Sequence, residues 1–177
     1  MAFVKVRKTK TGAVSTVLVE SYQDDNGRLR HRVLANLHGC EDTAHAMARL
    51  AAHRDCLRKE RAELEPNVAP AEQFYEAITL STLHGHVYSA EDRKDIDRLL
   101  KARKRLLNRI TAIDRTLAEI AKEGAIIKPH CQASPDEIRG LVGKYQKEMP
   151  NKGAFELGLR LMVSDERAKA WRQLFKG

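Results

Sequence analysis

Residues 14–37 read VSTVLVESYQDDNGRLRHRVLANL. Val14 to Tyr22 is rich in Val, Thr and Tyr, side chains that pack well on a pleated surface. Asp24-Asp25-Asn26-Gly27 follows, and Asn-Gly accepts the positive φ of a tight hairpin turn. Arg28 to Leu37 then alternates. Leu29, His31, Val33, Ala35 and Leu37 point to one face, and Arg28, Arg30 and Arg32 to the other. The stretch therefore predicts two antiparallel strands. Upstream, Phe3 to Val6 has a short β pattern, and Lys8-Thr9-Lys10-Thr11-Gly12 is a polar turn. Residues 1–40 read as a small basic β-meander. Three short strands leave one apolar face that needs a helical cover.

Downstream the period changes from two to 3.6. Gly39 ends the strand, and Asp42 or Thr43 can cap a helix over 41–65. Met47, Leu50, Leu57 and Leu64 share one face of it, with Ala44 and Ala51 beside them. Pro66 and Pro70 bound an expected linker, 66–70. A helical segment over 71–125 follows. Its first helix runs from Ala71 to about Leu83, with Phe74, Ala77 and Ile78 on one side, and stops at His84-Gly85-His86. The second starts at Ser89, where Ser89 and Asp92 resemble a capping box with Asp in place of Glu. Ile96, Leu99, Arg103, Leu106, Ile110, Ile113, Leu117 and Ile120 then alternate spacings of three and four, a heptad seam with one charge in it. This helix is expected to end near Gly124, at a length of about 50 Å. It must pack along another helix, either residues 41–64 or a second copy of the chain, and a homodimer is the expectation. Residues 133–177 read as a three-helix tail. Ser134-Pro135-Asp136-Glu137 starts the first helix, and further helices are expected over 154–163 and 165–175, the last carrying Trp171. The fold class is α+β: an N-terminal antiparallel β-meander, then a mostly helical body with one long coiled-coil-like helix.

The 177 residues are 42% hydrophobic but only 5% aromatic, so the core must be aliphatic, and 32% charged, which favours an elongated shape. The net charge is +8 and the pI about 9.5, a balance that favours polyanionic partners. Residues 1–40 hold seven Lys or Arg against three acids, +4, half the net charge in under a quarter of the chain. Met1 to Lys10 lacks the apolar region of a signal peptide, and no window of about 18 apolar residues could span a membrane. Cys40, Cys56 and Cys131 are odd in number and widely spaced, which predicts reduced thiols in a cytoplasm. Cys40, His45, His53 and Cys56 nominally supply four metal ligands, but no CxxC is present and the two histidines lie over two helical turns apart. No metal site is expected. No GxSxG, P-loop, GxGxxG or HExxH occurs. No catalytic residue, cofactor or small-molecule substrate is expected.

Lys8-Thr9-Lys10-Thr11-Gly12, Val17-Leu18-Val19-Glu20-Ser21-Tyr22 and Gly27 to Gly39 resemble the N-terminal segment of bacterial DDE-type insertion-sequence transposases, with His38 inserted before the last glycine. The likeness covers roughly residues 3–40. In that family the segment precedes the catalytic domain and engages DNA. The helical, short remainder is not expected to hold the family's RNase-H-like core, so only a DNA-contacting hairpin carries over. The expected function is non-enzymatic DNA binding, as in a regulator derived from a transposase N-terminal module. The candidate contacts are Lys5, Arg7, Lys8, Lys10, Arg28, Arg30 and Arg32 in the meander, and Lys101, Arg105 and Arg109 on the long helix, whose run from Arg98 to Arg109 contains no acid. The rival is a coiled-coil adaptor or inhibitor whose charge only aids solubility.

Overall fold

The computed structural model describes residues 2–8 and 14–149. Lys10 and the helices expected over 154–163 and 165–175 lie outside the described residues. The elements are β1 (Ala2–Lys8), β2 (Val14–Gln23), β3 (Leu29–Asn36), α1 (Thr43–Leu64), α2 (Val68–Leu83), α3 (Ala90–Ile127) and α4 (Pro135–Glu148). The meander and the helical body are as the sequence predicts. The chain divides into two compact units. Among the described residues, those up to Leu57 together with 116–149 form one, and Arg58–Arg115 forms the other. Both α1 and α3 contribute to each.

In the first unit the strands lie in the order β1-β2-β3, antiparallel throughout. The central strand β2 is buried at four consecutive residues, Thr16 to Val19. Because successive side chains alternate in direction, both faces are covered there. The pairing Leu18↔Ala35 is followed by Val19↔Val33, so Leu34 is an extra residue and β3 carries a bulge. The bulge interrupts the alternation expected for β3. Ala35 and Leu37 are buried, whereas Leu29 is 66% and Val33 45% exposed. The apolar face read along the whole strand is thus covered only past the bulge.

His38 and Gly39 connect the sheet to α1. Both have positive φ, 50° and 78°, and Cys40 N–H donates to the Leu37 carbonyl at 2.9 Å. This is the pattern of a tight type I′-like turn. A histidine there carries a steric cost that glycine does not. Three partners hold it: the Asn36 side chain accepts from the His38 N–H at 2.8 Å, Arg49 donates to the His38 carbonyl, and Glu123 Oε1 lies 2.9 Å from Nε2. Asp42 caps α1, its Oδ1 accepting from the His45 N–H at 2.8 Å. Burial pushes the Asp42 carboxyl up, but the N–H groups and ring of His45 outweigh it, and the net shift is below the ordinary value. In the same unit Tyr145 of α4 is buried beside Cys40, and burial with that thiol pushes its phenol up to about 12.

The expected linker at 66–70 is helical instead. A 3₁₀ turn over Glu65–Asn67 leads directly into α2, and Leu64, Asn67 and Val68 all keep αR backbone. Pro66 opens the 3₁₀ turn and Pro70 sits in the first turn of α2. There a missing N–H removes no intrahelical bond, so neither proline breaks the path. Gly85 does stop it. Its φ is +76°, His86 N–H donates to the Ser81 carbonyl and Gly85 N–H to the Thr82 carbonyl, both at 3.1 Å, a Schellman closure. At the start of α3, Asp92 N–H donates to Ser89 Oγ at 3.1 Å, while the Ser89 hydroxyl donates to Asp92 Oδ2 at 2.6 Å. The shorter carboxylate accepts from the hydroxyl, where Glu in a full capping box reaches the cap N–H. α3 does not end near Gly124 but at Ile127, followed by a 3₁₀ turn, Lys128–His130. Ile127 is fully buried, and burying a side chain of that size outweighs the roughly 1 kcal/mol that glycine costs a helix interior. α4 starts at the expected Ser134, with a full capping box: Glu137 N–H donates to Ser134 Oγ at 3.3 Å, and Ser134 N–H to Glu137 Oε2 at 2.7 Å.

Half of the heptad seam, Ile96, Leu106, Ile113 and Ile120, is buried within the chain. In the second unit Leu64, Ala71 and Ile78 are buried from α1 and α2, and Ile96, Ala102, Leu106 and Ile113 from α3. Three ion pairs give the direction: Glu60 with Arg109, Arg61 with Asp114, and Glu72 with Arg103. From residues 60 and 61 to residue 72 the partner on α3 moves back from 109 and 114 to 103, so the path through α1 and α2 runs antiparallel to α3. Ile120 and Ile127 continue the seven-residue spacing in the first unit and are buried there. Leu99, Ile110 and Leu117 are half-buried. The sequence left open whether residues 41–64 or a second copy covers this seam. Helices of the same chain cover it.

Candidate nucleic-acid interface

The β2–β3 hairpin is organised by one carboxylate. Asp24 Oδ1 accepts from Asn26 N–H at 3.1 Å and Arg28 N–H at 2.9 Å, and Asp24 N–H donates to the Arg28 carbonyl at 2.9 Å. Gly27 completes the turn with φ +72°. Asp24 Oδ2 then accepts from Arg30 Nε at 3.0 Å. That guanidinium, with the N–H groups of Arg28 and Asn26, holds the Asp24 carboxyl below its ordinary value.

The next cross-strand pair is Glu20↔Arg32. Glu20 Oε2 accepts from Arg32 Nε at 2.7 Å and lies 2.6 Å from Nη2, and the Arg32 guanidinium stands 5.9 Å from the centre of the Tyr22 ring. Two of the three arginines picked from the sequence alternation thus already have carboxylate partners. They remain more than half exposed, where such pairs are worth about 0–1 kcal/mol.

The register assigns the other cations. Lys8 pairs with Val14, which puts it in phase with Leu18, Glu20 and Arg32. Lys5 pairs with Val17 and Arg7 with Ser15, in phase with Phe3, Val19 and Val33, on the opposite face. Lys5, Arg7, Lys8 and Arg28 are all exposed. The meander's basic residues therefore divide between the two faces.

On α3 the basic run is likewise partitioned. Arg109 closes on buried Glu60, and Arg103 meets Glu72 with two contacts, 3.0 and 2.7 Å, while lying 4.1 Å over the Tyr75 ring. Arg98 is 3.9 Å from Asp95. Lys101, Lys104 and Arg105 are exposed. Periodicity placed Arg103 in the seam, but it could not show that Glu60 and Glu72 meet this helix. The signal for Glu60 was a charge at a slot between Leu57 and Leu64, where an apolar residue fits the spacing.

The four nominal metal ligands do not converge. Cys40 is buried next to Tyr145, and the His45 ring packs edge-on against Tyr145 at 6.4 Å and lies 3.0 Å from Asp42. His53 lines a separate cavity of about 310 Å³ with His38, Arg49, Glu119 and Glu123. Among the described residues no helix is long and apolar enough to cross a membrane.

Residues 3–66 match the family model of the IS1634 family transposase N-terminal domain. The match takes in 64 of the 177 residues, β1 from Phe3 onward and all of β2, β3 and α1. The transposase N-terminal likeness read over residues 3–40 thus extends through the first helix, which belongs to the same matched segment as the sheet. Comparison with curated proteins and with solved structures returned no significant match.

Proposed function

We propose that the chain is a DNA-binding module related to a transposase N-terminal domain, and that its sheet carries the contact. The observation that supports this most is the match of residues 3–66 to such a domain, in a segment whose exposed side chains include Lys5, Arg7, Lys8, Arg28, Arg30 and Arg32. Lys101 and Arg105 supply a secondary phosphate contact, whereas Arg109 is engaged by Glu60 and serves the helix pair. Lys10 completes the set from outside the described residues. In this reading the chain performs no chemistry and acts as a regulator in the cytoplasm. A homodimer, in this reading, uses a surface other than the buried seam residues Leu106, Ile113 and Ile120.

Titration of the full chain against labelled duplex DNA at several salt concentrations tests the proposal. Affinity should fall with salt, the slope of log affinity against log salt being about −0.9 for each phosphate neutralised. No binding at low salt would overturn it. The coiled-coil adaptor reading would then gain ground, and Leu80, Leu83 and Val87, exposed apolar side chains around the α2–α3 turn, are the observation in its favour.

A further inference from the structure

The two faces of the sheet differ in a way the sequence does not reveal. One carries Arg30, Arg32 and Lys8, but also Glu20, and Asp24 reaches Arg30 from the turn. Of its three cations two are occupied. It is also the face in phase with Ala35 and Leu37, which are buried, and Leu37 lines a cavity with Ala46, Leu50, Ile120 and Ile127 of α1 and α3. The other face carries Lys5 and Arg7 from β1, the buried Val17 and Val19 and then Ser21 and Gln23 from β2, and Leu29, His31 and Val33 from β3. No acid stands on it, and among the described residues neither Lys5 nor Arg7 has an acidic partner. Phe3, Leu29 and Val33 are 40%, 66% and 45% exposed. The Phe3 and His31 rings meet edge to face at 5.7 Å, and the Ser21 hydroxyl is 3.0 Å from His31 Nδ1. The surface is thus preformed.

We infer that this acid-free face, built from Phe3, Lys5, Arg7, Leu29, His31 and Val33, is the one that lies against duplex DNA, and not the arginine face that the alternation of β3 suggests. The inference rests on the DNA-binding reading above and adds which side of the sheet is used. Charge complementarity selects the occupant. A phosphate approaching Lys5 and Arg7 displaces no intramolecular carboxylate, whereas one approaching Arg30 or Arg32 competes with Asp24 or Glu20 and meets their negative charge. A second copy of the chain is a poorer occupant, because a two-fold contact through this face would bring like charges together across the interface. The exposed apolar chains add contact to sugars and base edges between the phosphate contacts.

Two charge-matched double variants of the full chain test this, Lys5→Gln/Arg7→Gln and Arg30→Gln/Arg32→Gln. Each removes two positive charges, so the long-range field changes equally. With labelled duplex DNA, the first variant should flatten the salt slope by about 1.8, two contacts at about 0.9 each. Between 50 and 200 mM salt it should therefore lose about twelvefold less affinity than the parent chain. The second should flatten it by less than about 0.9, the worth of a single contact. Lys5→Gln and Arg7→Gln alone should each give half the effect, and unchanged melting temperatures confirm that the variants are folded. A slope that flattens more with Arg30→Gln/Arg32→Gln, or equally with both, overturns the assignment of the face while leaving DNA binding standing. A parent chain that does not bind at low salt removes both.

Discussion

Glu60 and Arg109 face each other from α1 and α3 with two contacts of 2.6 Å, Nε to Oε1 and Nη2 to Oε2. Glu60 is buried, with 9% of its side chain exposed, against 33% for Arg109. The pair flanks the aliphatic seam between Leu57 and Leu64 on one side and Leu106 and Ile113 on the other. A bidentate guanidinium–carboxylate contact fixes both distance and orientation. It therefore favours one register of the two helices over a slip by one turn, which would take the guanidinium away from the buried Glu60 carboxylate.

Replacing Glu60 by Leu alone should cost stability, because Arg109 keeps its charge at a half-buried position without that carboxylate. Loss of one partner of a buried pair costs about 3–5 kcal/mol, and the partial exposure of Arg109 lowers the expectation to about 2–3 kcal/mol. The double variant Glu60→Leu/Arg109→Leu should recover most of the loss. Urea unfolding of the four chains of the cycle measures the coupling. Additive single effects would show that the pair has no such role.

Gly124 lies inside α3, and a Cβ built on it meets nothing within 4 Å. Its backbone is helical, so alanine requires no strained conformation. Gly124→Ala should stabilise the chain by about 0.5–1 kcal/mol, through the smaller conformational freedom of the unfolded state. A rise in melting temperature with unchanged helical circular dichroism is the expected result. A fall would mean that the helix does not continue past Gly124.

His53 predicts a pH effect. Burial in the cavity, and then the positive charges of Arg49 and His38, push its imidazole below the ordinary 6.5. The unfolded chain therefore takes up the proton first as pH falls, and the folded state loses stability from about 6.5 downward to the lowered folded value. Above that window the contribution is complete, and below it the loss persists. Glu119 and Glu123 line the same cavity and limit the effect. Denaturant midpoints at pH 7.5 and 5.0 for the parent chain and His53→Gln check it. The variant should show the smaller acid-induced loss, and equal losses would place the effect elsewhere.

Much of the architecture can be read from local pattern, because each element is determined by neighbours in sequence. The turn at Asp24–Gly27 follows from Asp and Asn-Gly chemistry, the start of α4 from Ser134 and Glu137, the stop at Gly85 from its positive φ. The ends of α3 and the 66–70 segment escape this reading. A proline or a glycine weighs on the backbone by a local amount, and burial of Leu64, Ala71 and Ile127 weighs against it from residues far away in sequence. The basic residues were legible as a cluster, but not as a site. A one-residue bulge at Leu34 and the acids at positions 20 and 24 redistribute them, and pairing register is a property of two strands together.

By itself the sequence determined the three strands and the main helices among the described residues, the presence of a heptad seam and the likeness of the N-terminal segment to a transposase module, since periodicity and turn chemistry act within a few residues. Only the tertiary structure decided what covers the seam, which arginines are already paired, and which face of the sheet carries cations with no carboxylate beside them. Those depend on groups such as Glu60 and Arg109, or Glu20 and Arg32, whose separation along the chain says nothing about their separation in space until the strands and helices have paired.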